Sequence, residues 1–225
     1  MVKITYFGHS ATAIESNGIK VLIDPFFSGN PSSSVKNISD ISADFIVITH
    51  AHADHIGDSI KIAKRCGAVV LSNFEIINRL NSTGIKGEPL YIGGKREFEN
   101  GWIKFFPAWH GSSFEDGSYG GLAMSVLVHI DGKTIYHTGD TGLTAEFKII
   151  GEMYTIDIAM LPVGGTFTMD ANDAAVAAEW LGAKKVIPIH YNTFKKIQVE
   201  LTDILKPFKN IVPVTILQPG ESCSI

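Results

Sequence analysis

Three histidines and one aspartate fall within six residues of the sequence, in His50-Ala51-His52-Ala53-Asp54-His55. This cluster follows the apolar run Phe45 to Ile48 after a single threonine, and the run has the pattern of a strand covered on both faces. At the end of a strand, side chains two residues apart point the same way, so His50 and His52 can bind one ion together. Imidazole and carboxylate are ligands for zinc, manganese or iron, and the absence of a thiolate favours a catalytic metal site over a structural one.

A second interpretation is that these residues form a helix cap and surface histidines. Asp54 would be a reasonable N-cap for a helix that starts at His55. That interpretation suits each residue taken singly, but it does not explain why four such residues stand together. As metal ligands, Asp54 and His55 lie at the start of the predicted helix, displaced far enough along the chain to reach a second ion.

Further ligands are expected at other strand ends, because a site built on a sheet collects residues from several loops at one edge. His110 ends an aromatic strand, Asp140 follows a hairpin strand, and His190 ends an apolar strand. Taken singly, each of the three is better explained as a hydrogen-bonded loop residue. Together they supply the ligands that the first cluster lacks.

Each half of the chain reads as a hairpin followed by alternating strands and helices. Asn17-Gly18 and Asp131-Gly132 are hairpin turns, because both central residues of such turns need positive φ. The predicted strands are Lys3 to Phe7, Ala11 to Glu15, Ile19 to Ile23, Phe45 to Ile48, Ala68 to Leu71, Trp102 to Trp109, Leu122 to Ile130, Thr134 to His137, Ile156 to Leu161, Lys185 to Ile189 and a closing strand, Val214 to Leu217. The predicted helices are Ile56 to Cys66, Phe74 to Leu80, Thr144 to Met153, Ala171 to Leu181 and Val199 to Leu205. This order predicts two sheets packed face to face with helices outside.

Length and composition limit the functional class. The chain of 225 residues is 45% hydrophobic, which is enough for one core, and we predict a single domain over residues 1–225. Its net charge of −4 is scattered without a basic run, so binding to long nucleic acid is not expected. No segment reaches the length of a membrane span, no signal peptide is recognisable, and two cysteines cannot build a disulfide framework. A reducing cytoplasm fits these features best.

The order of the polar residues resembles the metallo-β-lactamase superfamily along essentially the entire chain. The resemblance rests on His-x-His-x-Asp-His, a later His, a Gly-Asp-Thr and a final strand-end His. It implies an α+β fold, a four-layer αββα sandwich with two mixed sheets and two metal ions at one edge. It also implies that His50, His52 and His110 hold the first ion, that Asp54, His55 and His190 hold the second, and that Asp140 bridges both. Asp24 matches an early aspartate that supports the ligand histidines.

A finer resemblance is to the compact branch that includes ascorbate-6-phosphate lactonase and many uncharacterised metal-dependent hydrolases. It rests on three segments: Phe7-Gly8-His9-Ser10, Tyr136-His137-Thr138-Gly139-Asp140-Thr141 and Pro188-Ile189-His190-Tyr191. It implies a binuclear hydrolase in which a metal-bridging hydroxide cleaves an ester, lactone or phosphodiester bond of a small molecule. Zinc is the first expectation, with manganese, iron or nickel as alternatives. An iron-dependent oxidoreductase of the same fold and a nuclease acting on short nucleic acid are the alternative functions, and a homo-oligomer is left open.

Two further features bear on catalysis and the substrate. Besides Asp54, we interpret His9 as a catalytic residue that positions substrate or lies just outside the ligands, although it could equally be a satisfied turn histidine. His137 is expected to fill the sheet core. Lys195 and Lys196 follow His190 closely and either hold an anionic group of the substrate or are simply solvated.

Overall fold

Two β-sheets form the centre of the computed structural model, which describes residues 1–225. The strands in chain order are β1 (Lys3–Gly8), β2 (Ala11–Ser16), β3 (Ile19–Ile23), β4 (Phe45–Val47), β5 (Val69–Ser72), β6 (Lys86–Pro89), β7 (Lys95–Phe98), β8 (Gly101–Pro107), β9 (Met124–Ile130), β10 (Lys133–His137), β11 (Ile158–Pro162), β12 (Val186–Ile189) and β13 (Ser222–Ser224). The helices are α1 (Ala53–Ile56), α2 (Ser59–Cys66), α3 (Phe74–Asn81), α4 (Glu146–Met153), α5 (Ala171–Leu181) and α6 (Leu201–Phe208), with short 3-10 turns at Ile38–Asp40 and Lys195–Ile197.

Both sheets are mixed, with a hairpin part and a parallel part. The first has the strand order β13-β1-β2-β3-β4-β5-β6, antiparallel from β13 to β3 and parallel from β3 to β6. The second has the order β12-β11-β10-β9-β8-β7, antiparallel from β7 to β10 and parallel from β10 to β12. The parallel strands bring several carboxyl ends to one edge, which is where sites on such sheets form.

Three apolar clusters bind the layers together. The cluster between the sheets includes Val21 and Val47 from the first sheet and Val126 from the second. A second cluster packs α2 and α3 on the outer face of the first sheet, and a third packs α4, α5 and α6 on the outer face of the second. This arrangement confirms the four-layer αββα sandwich. No helix combines the length and the apolar character needed to cross a bilayer.

The hairpin predictions are confirmed. Asn17-Gly18 joins β2 to β3 with φ values of 47° and 84°, and Asp131-Gly132 joins β9 to β10 with 48° and 74°. Two positive φ angles in succession match the right-handed twist of the paired strands, and Asn-Gly and Asp-Gly adopt them at low cost.

The predicted helix from Ile56 to Cys66 is wrong at its start, because Gly57 separates α1 from α2. Gly57 has φ 45° and ψ −126°, and a Cβ on it would lie 2.4 Å from the carbonyl oxygen of Pro25. The loop after β3 is held at this point, since Asp58 Oδ2 accepts from the backbone N–H of Ser28 at 2.7 Å. Packing against that loop breaks the helix, and the periodic pattern does not reveal it.

The predicted closing strand, Val214 to Leu217, is also wrong. Val214 makes only an isolated bridge to Val186, and the edge strand of the first sheet is β13, paired with β1. The pairing with β12 is limited to two backbone hydrogen bonds, from the N–H of Val186 to the carbonyl oxygen of Pro213 and from the N–H of Thr215 to that of Val186, before the chain crosses to the other sheet. The polar edge strands β6, β7 and β13 were not predicted, because they lack the apolar alternation that marks a half-buried strand.

Candidate metal centre

All seven predicted ligands lie together at one edge of the two sheets. They come from the loop after β4 and from α1, and from the segments that follow β8, β10 and β12. The seven residues are His50, His52, Asp54, His55, His110, Asp140 and His190. The structure brings these side chains together, and their role as ligands stays a prediction.

His50, His52 and His110 form the first group. Nε2 of His50 lies 2.9 Å from Nδ1 of His52, and the ring centroid of His110 lies 5.0 Å from that of His50 and 5.2 Å from that of His52. One nitrogen of each ring lies within 4.8 Å of the others. The grouping coincides with the set expected for the first ion.

Asp54, His55 and His190 form the second group, and His9 joins them. Ligand atoms of these four residues all lie within 4.8 Å of one another. His9 Nε2 is 3.2 Å from Asp54 Oδ2, and the ring centroids of His9 and His190 are 4.2 Å apart. The expected second set is therefore present, with one histidine more than the resemblance implies.

Asp140 lies between the two groups. Its Oδ1 is 3.3 Å from Nε2 of His55, and its Oδ2 is 2.9 Å from Nε2 of His190. The same Oδ2 is 3.6 Å from Nε2 of His110, which belongs to the first group. A carboxylate that reaches both groups has the placement of a bridging ligand.

Asp24 and Thr49 support the histidines from behind. Thr49 Oγ1 lies 2.7 Å from Asp24 Oδ2, which can only accept, so the threonine hydroxyl donates its proton there. The oxygen of Thr49 is then an acceptor for Nδ1–H of His50 at 3.0 Å, and Nδ1–H of His55 donates to Asp24 Oδ2 at 2.7 Å. Both rings therefore direct Nε2 into the centre. Thr49 carries no local signal of this role in the sequence, because its partner Asp24 lies 25 residues before it in the chain.

The donor set fits divalent metal ions. His55 Nε2 and Asp140 Oδ1 are fully buried, face each other and have no hydrogen-bond partner. His55 donates Nδ1–H to Asp24 and its Nε2 faces a carboxylate oxygen, so a cation must lie between these two atoms. In the metal-free chain this cation is a proton, because burial lowers the pKa of His55 but Asp140 and Asp24 raise it well above its ordinary value. A bound metal ion would take the place of that proton. Imidazole and carboxylate donors suit zinc, manganese or iron.

Charges within the centre keep its members in different protonation states. Burial lowers the pKa of His50 well below its ordinary value, and the nearby positive charge of His55 adds to this effect. Burial also lowers the pKa of His52 and His110, so all three rings of the first group favour the neutral form that binds metal. Burial opposes ionisation of Asp140, but His55 and His190 hold the pKa of its carboxyl well below the usual range.

Three residues of the centre have backbone angles that favour glycine. His9, Asp24 and His190 have φ values of 57°, 45° and 53°. Such conformations cost about 1–3 kcal/mol each and persist where the surroundings enforce them. Here the N–H of His190 donates to the carbonyl oxygen of His9 at 2.8 Å, and the Tyr6 hydroxyl donates to the same oxygen at 3.1 Å.

Some histidines and lysines lie outside the centre. His137 is completely buried, and its Nε2 donates to the carbonyl oxygen of Ser10 at 2.9 Å while its Nδ1 accepts from the N–H of Gly139, so it fills the core as expected. Lys195 is exposed, and the ammonium of Lys196 lies 5.8 Å from the ring centroid of Phe167.

Comparison with known proteins gives a consistent family. Residues 3–190 match the model of the β-lactamase superfamily domain. A UPF0173 metal-dependent hydrolase of Geobacillus thermodenitrificans is 48% identical over 100% of both chains, and one of Thermus thermophilus is 48% identical over 88% of this chain and 87% of its own. The solved structure of Igni18, a metallo hydrolase from the hyperthermophilic archaeon Ignicoccus hospitalis, has a TM-score of 0.90 and 38% identity, covering 99% of this chain and 97% of its own. With this match over most of its length and a His/Asp centre at the edge of an αββα sandwich, the chain belongs to the β-lactamase superfamily, among its metal-dependent hydrolases.

Proposed function

We propose that the protein is a binuclear metal-dependent hydrolase that cleaves an ester, lactone or phosphodiester bond in a small molecule. The observation that carries the proposal is the position of Asp140, whose two carboxylate oxygens face histidines of both groups. A mononuclear site needs only one of these groups. Zinc is the first candidate for both ions.

Each group has a distinct task in this proposal. His50, His52 and His110 hold one ion, and Asp54, His55 and His190 hold the other. When bound, two such ions lower the pKa of water toward neutrality and polarise the carbonyl or phosphoryl oxygen under attack. Asp140 fixes the separation of the two groups, and Asp54, whose side chain is 30% exposed, can orient the attacking water.

The chain also provides an apolar wall beside the second group. The rings of Phe26 and Phe194 stand edge-on to His9, with centroids 5.8 Å and 5.5 Å from its ring, and Phe194 is 39% exposed. An exposed aromatic ring next to a reactive centre suits the non-reacting part of a small substrate. We further propose that the substrate carries an anionic group, which the ammonium group of Lys195 or Lys196 binds. The proposed location is the cytoplasm, in keeping with two free cysteines.

The function is tested by loading the metal-free protein separately with zinc, manganese and iron. Each form is then assayed on a matched panel of lactones, phosphodiesters, carboxylic esters and acyl amides, and oxygen consumption is followed in parallel. We expect hydrolysis of at least one ester-type class and no oxygen consumption. Oxygen uptake with the iron form and no hydrolysis with any form would instead establish the oxidoreductase alternative.

A further inference from the structure

A chain of hydrogen bonds reaches Asp54 from the side of His9 that faces away from the centre. His9 is completely buried, with Nδ1 3.0 Å from Thr193 Oγ1 and Nε2 3.2 Å from Asp54 Oδ2. Thr193 is also buried, and Ser32 Oγ lies 3.3 Å from its hydroxyl oxygen. Neither Thr193 nor Ser32 belongs to the predicted metal ligands.

The direction of these bonds follows from Asp54. Asp54 is a carboxylate, which has no proton to donate and only accepts, and its Oδ2 lies 3.2 Å from Nε2 of His9. Nε2 of His9 must therefore carry the proton. In the neutral ring Nδ1 is then bare, and the hydroxyl of Thr193 donates to it. Ser32 Oγ–H donates to Oδ1 of Asn30 at 2.8 Å, so the row of donors begins at Thr193 and runs through His9 to Asp54.

The surroundings leave His9 few other orientations. Phe26 and Phe194 stand on its ring edge-on, and its backbone is held by the bond from the N–H of His190 to its carbonyl oxygen. Rotation of the imidazole by a half-turn about Cβ–Cγ would exchange each nitrogen with a carbon and remove both side-chain hydrogen bonds. On the side of the ring that faces away from Asp54, the hydroxyl of Thr193 favours the observed orientation, because it can bond to Nδ1 but not to the carbon that the rotated ring would place there.

We propose that Thr193 is a positioning residue that fixes the Nε2–H tautomer and the orientation of His9, and through His9 the carboxylate of Asp54. Its role in metal binding rests on the proposed function, because Asp54 is there a ligand of the second ion. Partners that orient a metal-binding carboxylate from behind contribute strongly to affinity, and their loss typically costs about 10–100-fold in metal binding.

The tautomer is tested first on the metal-free protein, which requires no activity. Histidine labelled with ¹⁵N distinguishes a protonated from a bare ring nitrogen in long-range ¹H–¹⁵N spectra, recorded well above the ordinary pKa of histidine. The signal of His9 is identified by its absence in the His9→Gln variant. We expect the proton on Nε2 in the wild type and in Thr193→Ser, which keeps the hydroxyl, and a mixture of tautomers in Thr193→Val, which is close in shape but has no hydroxyl.

Metal binding is tested with the same variants by titrating Zn²⁺ into the metal-free protein. We expect the second ion to bind about 10–100-fold more weakly to Thr193→Val, with the first ion unchanged and with Thr193→Ser close to the wild type. Circular dichroism and the thermal midpoint of the metal-free chain show whether Thr193→Val is folded. If that variant is unfolded, the tautomer of the wild type alone decides the inference.

The outcomes separate this inference from the proposed function. A proton on Nδ1 of His9 in the wild type, or unchanged second-ion affinity in a folded Thr193→Val, would overturn the positioning role and leave the hydrolase proposal standing. Failure of every hydrolysis assay, with the expected tautomers and metal affinities, would reject the hydrolase and leave the positioning role supported.

Discussion

The Oδ2 atom of Asp24 lies 2.7 Å from Nδ1 of His55, and both side chains are completely buried behind the candidate metal centre. The same carboxylate accepts from the hydroxyl of Thr49, which in turn accepts from His50. A single aspartate thus orients one histidine in each of the two groups. Loss of its charge is expected to affect both ions.

Replacing Asp24 by Asn keeps the size of the side chain but removes the negative charge that receives His55 Nδ1–H. We expect zinc affinity to fall about 10–100-fold at both positions, measured by titration of the metal-free protein. Asp203→Asn, at an exposed position of α6, serves as the matched control. Wild-type affinity in a folded Asp24→Asn would contradict the supporting role.

Asp140→Asn tests the bridge between the two groups. We expect about two ions per wild-type chain at saturation, by the two-metal logic of a carboxylate shared by two histidine-rich groups. In the variant the second ion should be lost first, as measured by elemental analysis during stepwise removal with a chelator. One ion per wild-type chain at saturation, or unaltered metal content and turnover in the variant, would contradict the assignment.

Gly57→Ala tests the break between α1 and α2. The new Cβ would meet the carbonyl oxygen of Pro25 at 2.4 Å, in a backbone region that essentially only glycine adopts. We expect the free energy of unfolding of the metal-free protein to fall by about 2–5 kcal/mol in urea denaturation. Gly67→Ala is the control, because Gly67 also has positive φ but open space around it, and should cost about 1–2 kcal/mol. Equal losses would show that the close contact is unimportant.

Lys195→Ala and Lys196→Ala test whether the substrate is anionic. If either ammonium holds an anionic group away from the reacting bond, its removal should raise KM for an anionic ester and leave KM for a matched neutral ester unchanged. The expected kcat is unchanged, because such binding is equal in the ground and transition states. Equal effects on both esters would reject an anionic contact.

Phe194→Ala tests the apolar wall. Removing the ring should raise KM for substrates with an aryl group by roughly 5-fold, since a partly exposed ring contributes on the order of 1 kcal/mol. A methyl-substituted substrate of the same bond type should be affected less. Phe74→Ala, at a 50% exposed position at the start of α3, is the control and should change neither. The same KM increase for the aryl and methyl substrates would argue against the wall.

The arrangement of the fold could be read from patterns that act over short stretches of chain. Asn17-Gly18 and Asp131-Gly132 set their hairpins because only a few residue types adopt two positive φ angles in succession. Apolar runs marked the buried strands because a strand that is covered on both faces needs apolar side chains on both. The polar edge strands β6, β7 and β13 could not be predicted from the sequence. An edge strand pairs through its backbone, and this pairing requires no particular pattern of side chains.

By itself the sequence determined which residues could bind metal, since the order of His50, His52, Asp54, His55, His110, Asp140 and His190 identified them before any geometry was known. The tertiary structure decided how they are held. Thr49 and Thr193 act through hydrogen bonds to residues that are distant in the chain, and the break at Gly57 is imposed by the loop after β3, which is also distant, so none of the three has a local signal. Local patterns record the propensities of a segment, whereas the direction of a buried hydrogen bond depends on partners that only the folded chain brings together.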